Sequence, residues 1–473
     1  MSLQATRLFS TVAGQPLESS GDLIPSLNPT VPKDVVAEFA AASEADVQQA
    51  AEAASNAFGT WSKLAGPARG DVLYKWADAI NARAEELAQA IVREVGKPLG
   101  EARGEVGRCV AILRYYAGEA VRQSGDVIPS LTPGALQFSI RQPLGVAGLI
   151  TPWNFPLAIP LWKAAPALAV GNTVVLKPAE EAVWCAALLS ETAQAAGLPA
   201  GVFNVLLGAG DTGKALVQNE LIRCVSFTGS AEVGAKVAEA CARRNVKYQT
   251  EMGGKNPALV LADANLAQAA NLVASGAMRF AGQKCTATSR VIVDRSVRGS
   301  FIDELQKAIL ALPVGDPGEM ATAVGPVITE ESQGRINEAV QGSESIYQAS
   351  VPNQGFFVAP AVFATYQHSN LAQQELFGPV LSMIEADGLD EAIKIANNTP
   401  YGLSASLFTR DIAAALTYIH RIEAGMVRVN ADTTGVDPHA PFGGVKGSSS
   451  HSREQGSVAK EFYTEIRTVQ INP

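Results

Sequence analysis

The sequence is poor in histidine, has no paired cysteines and has no long uninterrupted apolar run. Only four histidines occur in 473 residues, which leaves little material for histidine-based chemistry. The five cysteines are widely spaced and form no CxxC pair, so neither a disulfide framework nor a zinc cluster is indicated. We therefore expect a reducing compartment, the cytoplasm, and no metal site.

Two further absences limit the classes of function. The N-terminus has no apolar core behind a basic start, so no signal peptide is predicted. The most apolar stretch, LAIPLWKAAPALAV (157–170), contains Lys163 and prolines and cannot be read as a membrane span. The net charge of −9 argues against a nucleic acid or an anionic membrane as the main partner. A chain of this length, 47% apolar, predicts two or three domains with substantial cores.

Strands and helices alternate through most of the chain. Apolar residues at helical spacing predict helices within 44–118, one of them running over 69–96 until Lys97-Pro98 ends it. From residue 172 short apolar strands alternate with helices, and the same texture repeats over 256–425. This order predicts an α/β protein with two parallel sheets. The tail YTEIRTVQINP predicts a terminal strand that pairs outside the second domain.

Three strand ends are candidate sites for a phosphate or a ribose. Gly208–Gly213 matches GxGxxG, but the acid expected about 20 residues later is missing, so a tight turn is the alternative. FTGSAEVG (227–234) joins a strand end to a helix start, where free N–H groups and the helix dipole suit a pyrophosphate. Lys177-Pro178-Ala179-Glu180 could grip vicinal ribose hydroxyls, although a solvated strand end has the same pattern.

Cys285, in FAGQKCTA (280–287), is a candidate nucleophile. Cysteine attacks as a thiolate, and a cation such as Lys284 or a nearby base would lower its pKa. Glu251 ends a strand before two glycines, and Asn154 lies in the rigid TPWNFP loop, where an amide suits an oxyanion donor. Taken singly, each has a plain alternative: a small core residue, an exposed strand-end acid and a turn asparagine. The four other cysteines lie in apolar patterns and are interpreted as structural: Cys109, Cys185, Cys224 and Cys241.

Together, seven motifs resemble those of the NAD(P)-dependent aldehyde dehydrogenase superfamily. In chain order they are TPWNFP (151–156), KPAE (177–180), FTGSAEVG (227–234), EMGGKNP (251–257), GQKC (282–285), ELFGPV (375–380) and PFGGVK (441–446). The resemblance runs from about residue 20 to the C-terminus. It implies the aldehyde dehydrogenase fold, with a Rossmann-like dinucleotide-binding domain at 1–121 and 143–253, an α/β catalytic domain at 254–448, and a small β oligomerisation arm at 122–142 and 457–473.

The resemblance also implies catalytic roles. Cys285 would be the nucleophile, Asn154 and the Cys285 backbone N–H would hold the oxyanion, and Glu251 would activate the water that hydrolyses a thioester. A carboxylate base would explain how the chain works without a catalytic histidine. Lys163 and Glu454 would support proton transfer.

The implied cofactor is NAD or NADP. Lys177 and Glu180 would bind the adenosine ribose, and Glu180 would repel a 2′-phosphate, which favours NAD. The other expected cofactor contacts are Thr151, Pro152, Trp153, Gly210, Gly229, Ser230, Gly234, Glu375 and Phe377. The tail strand resembles an arm that pairs with a neighbouring subunit, which implies a homodimer or homotetramer.

The substrate is predicted to be a short aldehyde that carries a carboxylate. Arg279 matches a carboxylate-binding arginine of succinate semialdehyde dehydrogenases, with a solvent-facing arginine as the alternative. Trp162 replaces the second arginine of those enzymes. The segment 429–456 more closely resembles 2,5-dioxovalerate (α-ketoglutarate semialdehyde) dehydrogenases, and it reads SSSHSRE where the superfamily more often reads SGxGRE. We therefore rank 2,5-dioxovalerate before succinate semialdehyde. The expected substrate contacts are Phe155, Trp162, Arg279 and Thr286.

Three alternatives stay open. The aldehyde could be neutral or of the betaine type. An acylating dehydrogenase would pass the thioester to coenzyme A, but such enzymes lack the glutamate base that Glu251 matches. A scaffold without activity would have lost part of the catalytic trio, whereas Cys285, Glu251 and Asn154 are all present.

Overall fold

The computed structural model describes residues 5–122 and 125–473. In chain order, the strands of these residues are β1 (Thr6–Leu8), β2 (Ser10–Val12), β3 (Gln15–Leu17), β4 (Leu23–Leu27), β5 (Val35–Ala40), β6 (Val127–Ile128), β7 (Leu136–Pro143), β8 (Val146–Ile150), β9 (Thr173–Lys177), β10 (Phe203–Val205), β11 (Ile222–Thr228), β12 (Lys247–Glu251), β13 (Asn256–Val260), β14 (Thr288–Asp294), β15 (Ser345–Gln348), β16 (Ala361–Ala364), β17 (Val380–Ala386), β18 (Ser404–Phe408), β19 (Met426–Val429) and β20 (Thr464–Ile471).

The α-helices of the same residues alternate with these strands. They are α1 (Glu44–Trp61), α2 (Gly66–Ala82), α3 (Ala84–Val95), α4 (Leu99–Glu119), α5 (Ala158–Ala169), α6 (Val183–Ala195), α7 (Gly210–Gln218), α8 (Ala231–Arg243), α9 (Leu266–Met278), α10 (Arg298–Leu310), α11 (Glu330–Val340), α12 (Asn370–Gln373), α13 (Gly388–Asn397), α14 (Ile412–Arg421) and α15 (Ala459–Phe462). Short 3₁₀ helices span Glu180–Ala182, Arg279–Gly282, Arg295–Val297 and Lys446–Ser448. Within the described residues, no helix is both long enough and apolar enough to cross a membrane.

The first seven-stranded sheet has the order β12-β11-β8-β9-β10-β2-β3. Its first five strands are parallel, β2 is antiparallel to β10, and β3 is antiparallel to β2. Both faces are covered: Ala147 and Leu149 of β8 pack with α2, α4 and α5, and Val146 packs on the face that holds α1. Strands buried on both faces are apolar throughout, which is the pattern that made these segments recognisable.

The strand order of this sheet reverses at β8. The strands β8, β9 and β10 follow one another in one direction, whereas β11 and β12 lie on the opposite side of β8. In open α/β sheets, ligand crevices form at the carboxyl ends of the strands on either side of such a reversal. The loops after β8, β11 and β12 therefore meet at an edge suited to a ligand.

The second seven-stranded sheet has the order β15-β16-β17-β14-β13-β18-β19. Its strands are parallel except for the antiparallel edge strand β15. Alternate residues of β13 again face opposite layers: Ala258 and Val260 pack with α9 and α10, and Leu259 packs with α13 and α14. The α/β texture predicted for 256–425 is present.

Two three-stranded sheets complete the described structure, with the orders β1-β5-β4 and β20-β7-β6. The tail strand β20 pairs with β7 in antiparallel register, from Thr464 opposite Pro143 to Ile471 opposite Leu136. The tail therefore pairs outside the second seven-stranded sheet, as the sequence predicts. The opposite edge of β20 has no strand partner among the described residues.

The single helix predicted over 69–96 is wrong. The segment forms two helices, α2 and α3, that meet at Arg83, where φ is −111° and ψ is 22°. The residues at the break, from Asn81 to Ala84, are exposed or half-buried. Because no core position falls at the break, the apolar pattern continues across it and carries no sign of it.

Candidate active site

Cys285 follows a strained turn between α9 and β14. In this turn Phe280, Ala281 and Gly282 have φ values of 54°, 51° and 67°. Non-glycine residues pay a free-energy cost in this left-handed region, and such strain is concentrated at functional sites. A side chain at Gly282 is excluded because its Cβ would lie 2.3 Å from the carbonyl oxygen of Gly378. The turn delivers the half-buried Cys285 thiol just before β14 begins.

The surroundings of the Cys285 thiol disfavour its thiolate form. Burial raises its pKa to about 12, and the charges of Glu375, Glu251 and Glu454 act in the same direction. The backbone N–H of Thr286 opposes them by stabilising the thiolate.

Lys284 is not free to act as the cation beside the thiol. Its Nζ lies 2.8 Å from the Glu101 carboxylate in a largely buried ion pair. The four other cysteines are buried, and burial raises the pKa of each thiol. Their environment agrees with the structural interpretation made from the sequence.

Asn154 lies in the loop between β8 and α5 and is buried. Its Nδ2 donates to the Gln283 carbonyl at 2.9 Å, which ties the amide to a residue two positions before Cys285. The Lys97 ammonium donates to the backbone carbonyl of Asn154 at 2.7 Å. The second amide N–H of Asn154 has no partner in the described part of the chain, so it can serve an oxyanion.

Lys97 and Glu105 form a buried ion pair that sequence reasoning missed. The second carboxylate oxygen of Glu105 accepts from the N–H groups of Leu157 and Ala158 at 3.0 and 3.1 Å, where α5 begins. The pair therefore holds this loop at Asn154 itself and at the end that leads into α5. The sequence marked only a helix end at Lys97-Pro98. It could not indicate this pair, because a contact between residues 52 apart produces no local pattern.

Glu251 ends β12 as a fully buried carboxyl group. Its Oε2 accepts from the Ser449 hydroxyl at 2.5 Å, and its enclosed Oε1 has no hydrogen-bond partner among the described residues. Burial raises the pKa of Glu251 well above its usual range, the charge of Glu454 adds to this, and the Ser449 hydrogen bond opposes it. A carboxyl group with a raised pKa and one oxygen without a hydrogen-bond partner suits proton abstraction from water.

Lys163 and Glu454 meet in a buried ion pair next to this carboxyl. Lys163 Nζ also donates to the Ser226 hydroxyl at 2.8 Å, and the Trp162 indole N–H donates to the other Glu454 oxygen at 2.7 Å. The charge of Glu454 raises the pKa of Glu251 and that of Lys163 lowers it. The pair therefore sets the electrostatic environment of the candidate base.

A serine-rich segment, Ser448–Ser452, holds the end of β12 and was not predicted as part of the site. Ser450 Oγ accepts from the N–H of Thr250 at 2.9 Å, and Ser448 Oγ donates to the Gly253 carbonyl at 2.8 Å. Ser452 Oγ accepts from Gln249 Nε2 at 3.0 Å. The departure of this segment from SGxGRE was the available signal, but only the structure shows that its hydroxyls contact the strand of Glu251.

Enclosed polar atoms without partners collect where the first sheet reverses. Within the described residues, these include Thr151 Oγ1 and Asn154 Oδ1 after β8, Thr228 Oγ1 at the end of β11, and Glu251 Oε1 at the end of β12. Native proteins leave few buried polar atoms unsatisfied, and each such atom calls for an explanation. Their clustering indicates a polar ligand at this edge.

The turn from β11 to α8 has the close packing expected of a phosphate-binding turn. Ser230 is the N-cap of α8 and is exposed. A Cβ at Gly229 would lie 2.5 Å from the Phe227 ring, and one at Gly234 would lie 2.5 Å from the sulfur of Met252. The helix start is therefore open to a ligand and is lined by backbone N–H groups.

Lys177 and Gly210 lie at the ends of the neighbouring strands β9 and β10. Burial lowers the pKa of Lys177, and the charge of Glu180 opposes this. Gly210 is exposed where α7 begins. A Cβ at Gly208 would lie 2.1 Å from the Thr212 hydroxyl, so the tight-turn alternative accounts for this glycine without a ligand.

The segment ELFGPV of the second half of the chain reaches the same edge. Glu375 Oε1 accepts from the N–H of Gly254 at 3.0 Å, and burial raises the pKa of Glu375 to about 7. Phe377, with a φ of 53°, packs edge to face on Trp153 with ring centroids 5.7 Å apart. Pro152, next to Trp153, is half-buried. The expected cofactor contacts Glu375 and Phe377 therefore lie beside the segments that follow Glu251 and carry Asn154.

The predicted substrate contacts differ in their surroundings. Trp162 is buried, with its ring centroid 5.6 Å from that of Phe442. Thr286 is buried and Phe155 is half-buried. Arg279 is exposed; its backbone N–H donates to the Ser275 carbonyl, and its side chain forms no hydrogen bond or ion pair with the described residues. An arginine at the mouth of the substrate pocket and an arginine that only faces solvent would both be exposed in this way.

Comparison with known proteins identifies the family of this arrangement. The chain matches the aldehyde dehydrogenase family over residues 17–469. It is 46% identical over 468 residues to the alpha-ketoglutaric semialdehyde dehydrogenase of Bacillus subtilis (strain 168), covering 96% of each chain. It is 38% identical over 472 residues to the 2,5-dioxopentanoate dehydrogenase of Saccharolobus solfataricus, covering 98% of each.

A solved structure shares the whole fold. The NAD-dependent aldehyde dehydrogenase from Sinorhizobium meliloti superposes with a TM-score of 0.95 at 36% identity, covering 99% of this chain and 95% of that one. The predicted α/β aldehyde dehydrogenase fold is confirmed. With a family match over nearly its full length and relatives well above 30% identity, the chain belongs to the aldehyde dehydrogenase family.

Proposed function

We propose that the chain oxidises 2,5-dioxopentanoate, also called 2,5-dioxovalerate or α-ketoglutarate semialdehyde, to 2-oxoglutarate with NAD or NADP. Succinate semialdehyde is the second candidate. Two relatives of 46% and 38% identity are named for the first substrate. The observation that carries the reaction type is the convergence of a thiol, an amide and a buried carboxyl: Asn154 is bonded to Gln283, two residues before Cys285, and the charge of Glu251 acts on the thiol.

The residues of the site divide the reaction into two halves. The Cys285 thiol loses its proton to solvent and its sulfur attacks the aldehyde carbon. The Asn154 amide and the Cys285 backbone N–H hold the resulting alkoxide. A bound nicotinamide would supply the acceptor for the hydride that this alkoxide loses on collapsing to a thioester. Glu251 then takes a proton from water, which attacks the thioester and releases the carboxylic acid. The charge of Glu454 raises the pKa of Glu251 and that of Lys163 lowers it, so the pair sets how readily Glu251 takes this proton.

The residues at the sheet edge fit a dinucleotide. The open start of α8 at Ser230 suits the pyrophosphate, and the unpartnered Thr151 and Thr228 hydroxyls lie on either side of the sheet reversal. Lys177 and Glu180 would bind the adenosine ribose. Because Glu180 would repel a 2′-phosphate, we propose NAD as the preferred cofactor.

A substrate panel tests this proposal. The value of kcat/KM for 2,5-dioxopentanoate and succinate semialdehyde should exceed that for pentanal and butanal, measured with NAD and with NADP. Equal values for the charged and neutral aldehydes would contradict the substrate class. Adding coenzyme A should leave the rate of NADH formation unchanged; dependence on coenzyme A would instead identify an acylating dehydrogenase.

A further inference from the structure

Arg108, on α4, is a half-buried cation that forms no ion pair with the described residues. The buried ammonium groups of Lys97 and Lys163 are each paired with a carboxylate. Arg108 forms no ion pair with any residue that the structure describes. Burial lowers the pKa of its guanidinium, which shows that its charge is poorly solvated. An uncompensated buried charge is costly, and a bound anion would relieve that cost.

The donors around Arg108 are only partly used. Its Nη2 donates to Gln455 Oε1 at 3.0 Å, whereas its enclosed Nε has no acceptor among the described residues. The Gln455 amide nitrogen is also enclosed and also lacks an acceptor in that part of the chain. Gln455 itself is completely buried. Two adjoining polar groups thus hold N–H donors for which the described protein provides no acceptor.

These donors lie in the wall of the active site. The Arg108 guanidinium carbon is 5.9 Å from the centroid of the Trp162 ring, and Trp162 donates to Glu454, the residue before Gln455. Trp162 also packs on Phe442, whose apolar cluster contacts Cys285. The guanidinium is therefore connected to the nucleophile through two packed aromatic rings.

We propose that Arg108, supported by Gln455, binds the carboxylate of the aldehyde substrate and selects for it. This inference rests on the proposed function, since it concerns the same reaction and names the residue that recognises the charged end. A guanidinium forms two parallel hydrogen bonds to a carboxylate, and Nη1, which bonds no described residue, is the point of approach. The 2-oxo group beside the carboxylate offers a further acceptor to the Gln455 amide.

Other charged groups could neutralise Arg108 or bind the substrate carboxylate in its place. The charges of Asp437 and Glu105 also act on Arg108. The Asp437 carboxylate is exposed, and the Glu105 carboxylate is bound by Lys97 and by the N–H groups at the start of α5. Arg279 is the other candidate for the substrate carboxylate. It is exposed, so water already solvates its charge and a bound carboxylate would gain less from it than from Arg108.

The test compares Arg108→Met, Arg108→Lys and Arg279→Met with the unaltered enzyme. Arg103→Met is the matched control, because Arg103 is exposed on the same helix and pairs with Glu85. For each protein, kcat/KM is measured on 2,5-dioxopentanoate and on pentanal with NAD, and folding is checked by circular dichroism. The ratio of the two values should fall by about 10- to 100-fold in Arg108→Met, the usual cost of losing hydrogen bonds to a charged group.

The outcomes separate this inference from the proposed function. Arg108→Lys should lose much of the ratio, because an ammonium keeps the charge but cannot bind both oxygens in the same plane. This variant also provides the answer if Arg108→Met does not fold. An unaltered ratio in both Arg108 variants, or a loss confined to Arg279→Met, overturns the role of Arg108 while the proposed function stands. If the unaltered enzyme shows no preference for the carboxylated aldehyde, the proposed function itself fails.

Discussion

At the scale of single residues, the Cys285 thiol lies in a desolvated and acidic environment. Burial raises its pKa most, and the charges of Glu375, Glu251 and Glu454 add to this effect. A negative charge near a desolvated thiol disfavours the thiolate, because like charges repel one another. The reactivity of Cys285 therefore depends on the charge of its neighbours.

The first prediction concerns the reactivity of Cys285 in the enzyme without cofactor. Because its pKa is raised to about 12, the thiolate fraction should grow about tenfold for each pH unit between about 7 and 10. Iodoacetamide labelling, followed by peptide mass spectrometry, should show the rate rising in the same way. A rate that levels off near neutral pH would contradict the raised pKa. The four buried cysteines serve as internal controls.

The second prediction concerns Ser449. Its hydrogen bond lowers the pKa of Glu251, so Ser449→Ala should raise that pKa and leave less of the base ionised at low pH. The acid limb of the kcat–pH profile should move to higher pH, with kcat below neutrality reduced by about tenfold. Ser449→Thr should restore the profile. Ser452→Ala, which alters the same segment without touching Glu251, should leave it in place.

At the scale of elements, the loop between β8 and α5 is positioned by a helix that precedes it in the chain. Lys97 and Glu105, at and near the start of α4, bind its backbone at Asn154 and at the start of α5. The oxyanion donor therefore depends on the placement of α4.

The third prediction follows from this ion pair. Lys97→Met leaves the Glu105 carboxylate buried without its partner, which should cost about 3–5 kcal/mol of unfolding free energy. The midpoint of chemical denaturation should fall, and kcat should fall with it because the Asn154 loop loses an anchor. Adding Glu105→Gln removes the stranded charge and should recover part of the stability. A single variant as stable as the double variant would show that the pair is not needed.

The sequence predicts elements better than it predicts contacts between them. The strands β9 and β11 lie in the region after residue 172 where short apolar strands are predicted, because continuous apolar runs mark strands buried on both faces. The motifs directed attention to Cys285, Asn154 and Glu251, whose roles remain predictions. Lys97, Arg108 and Ser449 were missed as members of the site, since their partners lie far away in the chain and no local pattern marks them.

At the scale of the whole molecule, both seven-stranded sheets contribute to one site. Glu251 ends a strand of the first sheet, whereas Cys285 lies just before a strand of the second. The tail strand β20 joins neither sheet and leaves one edge open among the described residues, with Ile466 and Ile471 exposed. An open edge with exposed apolar side chains is suited to pairing with another chain.

The fourth prediction concerns assembly. We expect a homodimer or homotetramer, and deletion of Thr464–Pro473 should reduce the mass measured by light scattering, because it removes the open strand. Deleting only Asn472 and Pro473, which follow β20, is the matched control and should leave the mass per particle essentially unaltered. A truncated chain that keeps its full assembly would show that the subunits associate elsewhere.

The helix α4 carries both a residue that positions the Asn154 loop and the residue that we propose recognises the substrate. Glu105 and Arg108 lie one helical turn apart, and the first anchors the loop of Asn154 while the second faces the site wall. Redesign of this helix to admit a different aldehyde would thus endanger turnover. The loop that carries His439 offers a safer place to begin. The His439 ring lies 6.4 Å from the Tyr115 ring of α4, and none of the hydrogen bonds of Asn154 or Glu251 involves His439.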